Sequence, residues 1–293
     1  MNQTTETNLS VAAVVPPAAL SFYQEHGYYH AKQVLPQSLL KQCQTVLEAW
    51  INREVKKWKD EGRIRDLKED LDFLYRFNEL WLDAGRPNYE RSPRKSLVEV
   101  MPQQVFEIIQ HPALLDLAEG FLGTNELVSH GIWNSRPKTP DSEHTDTPWH
   151  QDGQYFRDQA HIDIMTIWFP LHRVSAAGSC LAVAPDYRGP KLHENYEYEN
   201  GFIGIRREET RKLPTLPIEM EPGDALCFPQ VTPHRAMPNT SGAMRWSMDM
   251  RFVATDKAMF PALEQGMIAR SSDPDKIISF EEWLRKWKSP ETW

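Results

Sequence analysis

The chain has 293 residues, 40% of them hydrophobic and 25% charged, with a formal net charge of -8. That length suits one large domain, or one domain with a helical addition, and the apolar content is enough for a sizeable core. The negative balance argues against non-specific nucleic-acid binding, which draws on Lys and Arg to neutralise phosphates. No apolar run approaches membrane-spanning length, and Met1–Glu6 lacks the charged and apolar regions of a secretion signal. Cys43, Cys180 and Cys227 are widely spaced and make neither a disulfide framework nor a zinc pattern. The expectation is a cytoplasmic protein with free thiols and a small-molecule ligand, acting on neither nucleic acid nor membrane.

Residues 1–17 read as a flexible arm ending at Pro16-Pro17. A mainly helical flank follows over 18–125. It has a short helix from Leu20 to His26 stopped by Gly27, a strand at Tyr28–His30, and a long helix from Gln37 to Asp60. In that helix Leu39, Leu40, Cys43, Val46, Leu47, Trp50 and Ile51 follow the 3.6 period, and the charge-rich continuation reads as a solvated face. Residues 62–100 read either as a loop over an active site or as a surface helix and linker, with Arg91, Arg94 and Lys95 available to an anionic substrate in the first case. Two more helices are predicted near 102–110 and 112–122, with Gly120 and Gly123 ending the second.

From Glu126 the pattern changes to short strands between turns. Leu127–Trp133, Ile162–Leu171, Cys180–Ala184, Asp224–Phe228 and Met244–Ala254 read as strands of a core spanning 126–255. Residues 256–293 read as C-terminal helices, with a capping box at Ser279-Phe280-Glu281-Glu282. Helices, then many strands, then helices predict one domain with a β-sandwich or barrel core flanked by helices.

The chemistry centres on Trp149-His150-Gln151-Asp152-Gly153. In an extended segment His150 and Asp152 face the same side, so an imidazole nitrogen and a carboxylate oxygen can grip one metal. Two histidines and a carboxylate form the facial triad of non-haem Fe(II) oxygenases. His234, between two predicted strands, is the candidate third ligand. Arg245 lies eleven residues later, in an apolar strand where a guanidinium is costly to bury without an anionic partner. That partner is either a protein carboxylate such as Asp249 or a ligand, and Ser247 shares its face.

The set His150-Gln151-Asp152, Glu221-Pro222-Gly223-Asp224, His234, Asn239 and Arg245 resembles the phytanoyl-CoA dioxygenase family of Fe(II)- and 2-oxoglutarate-dependent oxygenases. Ile164–Leu171 and Gly178-Ser179-Cys180-Leu181 are similar to the strand and turn that follow the metal pair in that family. The resemblance covers roughly residues 20 to 255. It implies a double-stranded β-helix, or jelly roll, with iron on His150, Asp152 and His234. The far carboxylate of 2-oxoglutarate would lie on Arg245 and Ser247, with Trp168 and Ile132 flanking it. It implies use of O₂, release of succinate and CO₂, and hydroxylation of a C–H bond. Related halogenases have Ala or Gly where this chain has Asp152, so hydroxylation is favoured over halogenation, while desaturation, epoxidation and cyclisation stay open. Many members carry Pro-Gly-Ser-His where this chain has Ala184-Pro185-Asp186-Tyr187-Arg188-Gly189, which bears on substrate identity.

Around the site, His144 and Asp146 form a second H-x-D without that context and are read as lining the substrate pocket, together with Gln154, Tyr155 and Asn134. Trp133 reads as core, and His161, His172 and His193 as structural or surface residues. Two other classes compete: a jelly-roll binding protein without turnover, and a zinc hydrolase, which gives Arg245 no task.

Overall fold

The computed structural model describes residues 15–140, 145–155, 163–187, 191–258 and 266–288. Most of the expected N-terminal arm lies outside them. Helix α1 (Pro17–His26) ends at Gly27, whose φ of 76° lets its N–H reach the Tyr23 carbonyl. Strand β1 (Tyr29–Ala31) leads to α2 (Gln37–Asp60), whose apolar stripe includes the anticipated positions and continues to Val55 and Trp58. The charged tail of α2 is therefore solvated on one side only.

Residues 62–100 contain helices α3 (Phe73–Asp83) and α4 (Arg94–Val100). The link between them reaches across the sheet: Ser92 Oγ donates to Asn134 Oδ1 at 2.5 Å, and Arg91 Nη1 to the Asn200 carbonyl at 2.6 Å. Both helices bury core residues, Phe77, Leu80, Leu97 and Val98 among them, so the segment is neither a loop throughout nor a surface helix and linker. Helices α5 (Pro102–Ile109) and α6 (Pro112–Leu122) complete the flank.

The core is a double-stranded β-helix. Its larger sheet contains β1, β2 (Leu127–Ser129), β3 (Asn134–Ser135), β4 (Met165–Pro170), β9 (Ala225–Pro229), β11 (Ser247–Ala254) and β12 (Met267–Arg270). The order is β1-β9-β4-β11-β2-β12, with β3 also pairing β11. The smaller sheet is β10-β5-β8, formed by His234–Ala236, Leu181–Val183 and Leu216–Ile218. A hairpin of β6 (Tyr196–Glu197) and β7 (Ile203–Gly204), with helix α7 (Arg207–Thr210), lies between β5 and β8 in sequence.

Strict alternation divides the larger sheet into two faces. Met165, Ile167, Phe169, Ala225, Cys227, Met248, Met250 and Phe252 join the helices in one buried cluster. Trp168, Leu226 and Phe228 point the other way and pack against Leu181, Val183, Ile218 and Ala236 of the smaller sheet. The helices therefore cover the outside of one sheet and leave the space between the sheets for the site.

Two elements depart from expectation. The strand predicted over Leu127–Trp133 stops at Ser129, because His130 Nδ1 accepts from the Ile132 N–H and turns the chain before it rejoins β11 as β3. Met267–Arg270, within the segment read as C-terminal helices, is a strand on β2. Four residues are too few to declare a period, and the pairing partner lies far away in sequence. Helix α8 (Phe280–Lys288) follows, with Ser279 Oγ accepting from the Glu282 N–H at 3.2 Å.

Candidate metal centre and active site

The central segment enters the smaller sheet as an extended chain. His150 and His234 form an antiparallel bridge, each N–H donating to the other's carbonyl at 3.0 and 2.9 Å. Gln151 points away and ties its segment to two loops. Its Oε1 accepts from the His193 N–H at 2.8 Å, and its Nε2 donates to the carbonyls of Lys191 and Val231. Asp152 then opens a 3₁₀ turn and returns to the side of His150.

Ligand atoms of His150, Asp152 and His234 all lie within 4.8 Å of one another, and all three residues are buried. The Nε2 atoms of His150 and His234 are 3.8 and 4.0 Å from Asp152 Oδ1. His150 Nδ1 bonds to the Pro148 carbonyl at 2.9 Å and His234 Nδ1 to the Thr232 carbonyl at 3.0 Å. A carbonyl only accepts, so each Nδ1 carries the proton and each Nε2 presents a lone pair toward the carboxylate. That is the tautomer a metal needs.

Asp152 is held by two further residues. Thr166 Oγ1 donates to Oδ2 at 2.6 Å, while Arg251 donates from Nε to Oδ2 at 3.1 Å and from Nη2 to Oδ1 at 2.9 Å. Burial pushes the Asp152 pKa up, but Arg251, His234 and His150 outweigh it and hold the carboxyl well below the usual carboxylate range. Burial, and then the adjoining His234 site, push His150 down to about 3, so its imidazole stays neutral and free to coordinate. The donor set of two neutral imidazoles and one carboxylate fits a divalent iron with an open opposite face.

A small cavity of about 40 Å³ adjoins these ligands and also carries Arg245, Trp168, Leu181 and Phe228 on its walls. Arg245 is buried, its guanidinium 5.7 Å from the centre of the Trp168 ring. Its Nη1 donates to Ser247 Oγ and, at 3.3 Å, to the Arg136 carbonyl. No carboxylate pairs with Arg245 among the described residues; Asp249, the protein partner considered for it, accepts instead from Arg251 Nη1 and Asn134 Nδ2. Burial and nearby Arg136 lower the Arg245 pKa to about 10, still far above neutrality, so the guanidinium stays charged in the cavity wall.

Residues 23–247 match the family model for phytanoyl-CoA dioxygenase (PhyH). The chain belongs to this family. Among curated relatives, it is 26% identical over 169 residues to a probable phytanoyl-CoA dioxygenase of Caenorhabditis elegans, across 55% of this chain and 54% of that protein. It is 32% identical over 158 residues to the 1-deoxypentalenic acid 11-beta-hydroxylase of Streptomyces arenae, across 50% and 55%. The chain thus spans about half the length of these relatives. A solved structure, the non-heme alpha ketoglutarate dependent carbocyclase SnoK from nogalamycin biosynthesis, superposes with a TM-score of 0.53 at 17% identity, covering 92% of this chain and 90% of that one. At that identity the likeness concerns the fold, and it is the double-stranded β-helix described above.

The other residues singled out in this family member are dispersed. Ile132 packs against Val128, Ile164 and Val253 at the edge of the sheet and offers only its carbonyl, to Arg251 Nη1. Asn134 spends its amide on Asp249 and accepts from Ser92, so it braces the site rather than facing it. Gln154 turns away as well: its Nε2 donates to the carbonyls of Glu194 and Gly204 and its Oε1 accepts from the Gln151 N–H, which completes the 3₁₀ cap. Tyr155 sets its ring edge-on to His150 at 6.1 Å, with its hydroxyl on Ile203. Asp146 lines a neighbouring outer cavity and pairs with Lys138 at 2.9 Å. His144 lies outside the described residues. His193 bonds to Glu209 and, at 2.5 Å, to Tyr187, a structural role.

Sequence reasoning passed over Thr166, Arg136 and Arg251. A signal for Arg251 existed: Arg245, Ser247, Asp249 and Arg251 are polar at every second position between apolar neighbours. Four such residues on one strand face describe a polar interior, not a solvated surface.

Proposed function

We propose that this protein is an Fe(II)- and 2-oxoglutarate-dependent dioxygenase, a single oxygenase domain that hydroxylates an unactivated C–H bond of a small-molecule metabolite and releases succinate and CO₂. One observation carries the reading. Two histidines in the metal-binding tautomer and a buried carboxylate share a cavity with an arginine that has no carboxylate partner among the described residues.

His150, Asp152 and His234 would hold the iron, which when bound supplies the oxygen-activating redox chemistry that side chains lack. Arg251 and Thr166 keep Asp152 ionised and oriented. Arg245, with Ser247 beside it, receives the far carboxylate of 2-oxoglutarate through paired hydrogen bonds, and Trp168 limits where the carbon chain can lie. Leu181 and Phe228 give the cavity an apolar wall that excludes water from the reacting face. The carboxylate at Asp152 supports hydroxylation over halogenation. The named activities of the Streptomyces hydroxylase and of SnoK differ, so product mass is the measurement that separates added oxygen from ring closure.

The test is succinate formation by anaerobically purified protein given Fe(II), 2-oxoglutarate, ascorbate and O₂, beside Asp152→Ala and Arg245→Ala. Slow turnover in the wild type and none in either variant is expected. Absence of succinate together with absence of metal-dependent 2-oxoglutarate binding would overturn the reading and favour a binding protein.

A further inference from the structure

The proposal here rests on the oxygenase reading and names the substrate class. Three guanidinium groups line the cavity, those of Arg136, Arg245 and Arg251, against two carboxylates, Asp152 and Asp249, which leaves one positive charge in excess. Iron(II) and the 2-oxoglutarate dianion would add equal and opposite charges, so loading the site preserves the excess.

The surplus can be located. Arg251 is consumed by Asp152 and Asp249. Arg245 is assigned to the co-substrate. Arg136 remains. It directly precedes Pro137 on the segment that continues β3, where its N–H donates to the Ser247 carbonyl, which places it level with Ser247 across the sheet. Its nearest carboxylate is Asp249, at 3.6 Å from Nε, and Asp249 already accepts from Arg251 and Asn134. Neither Nη atom of Arg136 has a hydrogen-bond partner among the described residues, and the side chain is 28% exposed. It is the cavity-lining arginine open both to the site and to entering molecules. Its charge is felt by neighbours: Arg94, on α4, is pushed down to about 10 by burial and then by Arg136. A cation crowded by other cations in a low-dielectric cavity attracts an anion strongly.

We propose that Arg136 binds an oxyanion of the substrate through its two Nη groups, and that the substrate is a monocarboxylic acid held with its anionic end beside the iron ligands. The single excess charge favours a monoanionic carboxylate over a phosphate dianion, and the planar guanidinium matches carboxylate geometry.

The experiment uses intact protein loaded with redox-inert Ni(II) and saturating 2-oxoglutarate, titrated by calorimetry and thermal shift with a set of aliphatic and aromatic monocarboxylic acids, their primary amides and the matching alkyl and aryl phosphates. Binding of Ni(II) and 2-oxoglutarate to the wild type is read first, and its failure would defeat the oxygenase reading rather than this proposal. Given that binding, acids are expected to bind and stabilise while amides do not. Arg136→Gln should weaken acid binding about 10- to 100-fold, with 2-oxoglutarate affinity changed by no more than about twofold. Arg136→Lys should retain part of the acid affinity, which separates lost charge from misfolding. Equal binding of acids and amides, preference for phosphates, no acid bound, or a large loss of 2-oxoglutarate affinity in Arg136→Gln would each overturn the assignment.

Discussion

Asp152 Oδ1 faces two ways. One of its lone pairs meets Arg251 Nη2 at 2.9 Å, and the other points toward the two histidines at 3.8 and 4.0 Å. The arginine therefore keeps the carboxylate charged and immobile without occupying the direction a metal would use. Replacing Arg251 by Met leaves Asp152 and Asp249 buried without their shared cation. The expected destabilisation is about 3–5 kcal/mol, measured by denaturant unfolding of metal-free protein, with metal affinity reduced about 10- to 100-fold in direct titration. Thr166→Val removes a single bond to the same carboxylate and should lower stability by about 1–3 kcal/mol, with Arg251 still in place. An unfolding midpoint unmoved in Arg251→Met would show that this pair does not support the site.

At the scale of elements, β11 joins the outer layer to the site. Met248, Met250 and Phe252 bind the sheet to the helices, while Asp249 and Arg251 between them line the cavity and Ser247, ahead of them, bonds to Arg245. The helices were legible because long 3.6-period runs such as Leu39–Ile51 admit one interpretation, and α2 occupies its predicted bounds. The clustering of His150, Asp152 and His234, with Arg245 buried beside them, was legible because these identities and spacings are specific in combination. The short strands β8, β10 and β12 were not, since three or four residues show no period and their partners lie far along the chain. Nor was the diversion of Asn134 and Gln154 into bracing, because which way an amide turns depends on carbonyls the sequence does not place. Helix α8 offers a control. Trp283 and Trp287 are buried against Phe106 and Trp133, remote from the cavity lining. Trp283→Ala should cost about 3–5 kcal/mol in unfolding free energy and leave metal and 2-oxoglutarate affinity unchanged. A large loss of affinity in that variant would show coupling between helix layer and site.

Across the whole molecule, charge is segregated. The chain carries a formal -8, yet the space between its sheets is positive. Fully buried His130 borders that region, facing Arg251, Arg94 and Asp152, and burial followed by the two arginines lowers its pKa from 6.5 to about 3. The folded pKa is depressed, so between those values the unfolded chain binds a proton that the native chain refuses. Stability should therefore fall as pH drops from 6.5 toward 3, with this residue contributing a slope that approaches about 1.4 kcal/mol per pH unit. His130→Phe, followed by thermal unfolding of metal-free protein across that range, should flatten the profile. An unchanged slope would assign the acid sensitivity elsewhere.

The reciprocal bridge between His150 and His234 has a kinetic meaning. It joins backbone positions 84 residues apart, and the same two residues would bind one ion, so loading the centre would clip a long loop at the place where the smaller sheet begins. Hydrogen exchange should register that clip unevenly. Amides of His150, His234 and β10 would open less often on metal addition, while those of α2 would report only the global gain. The smaller sheet would then be the part of the fold whose lifetime the cell's iron supply sets.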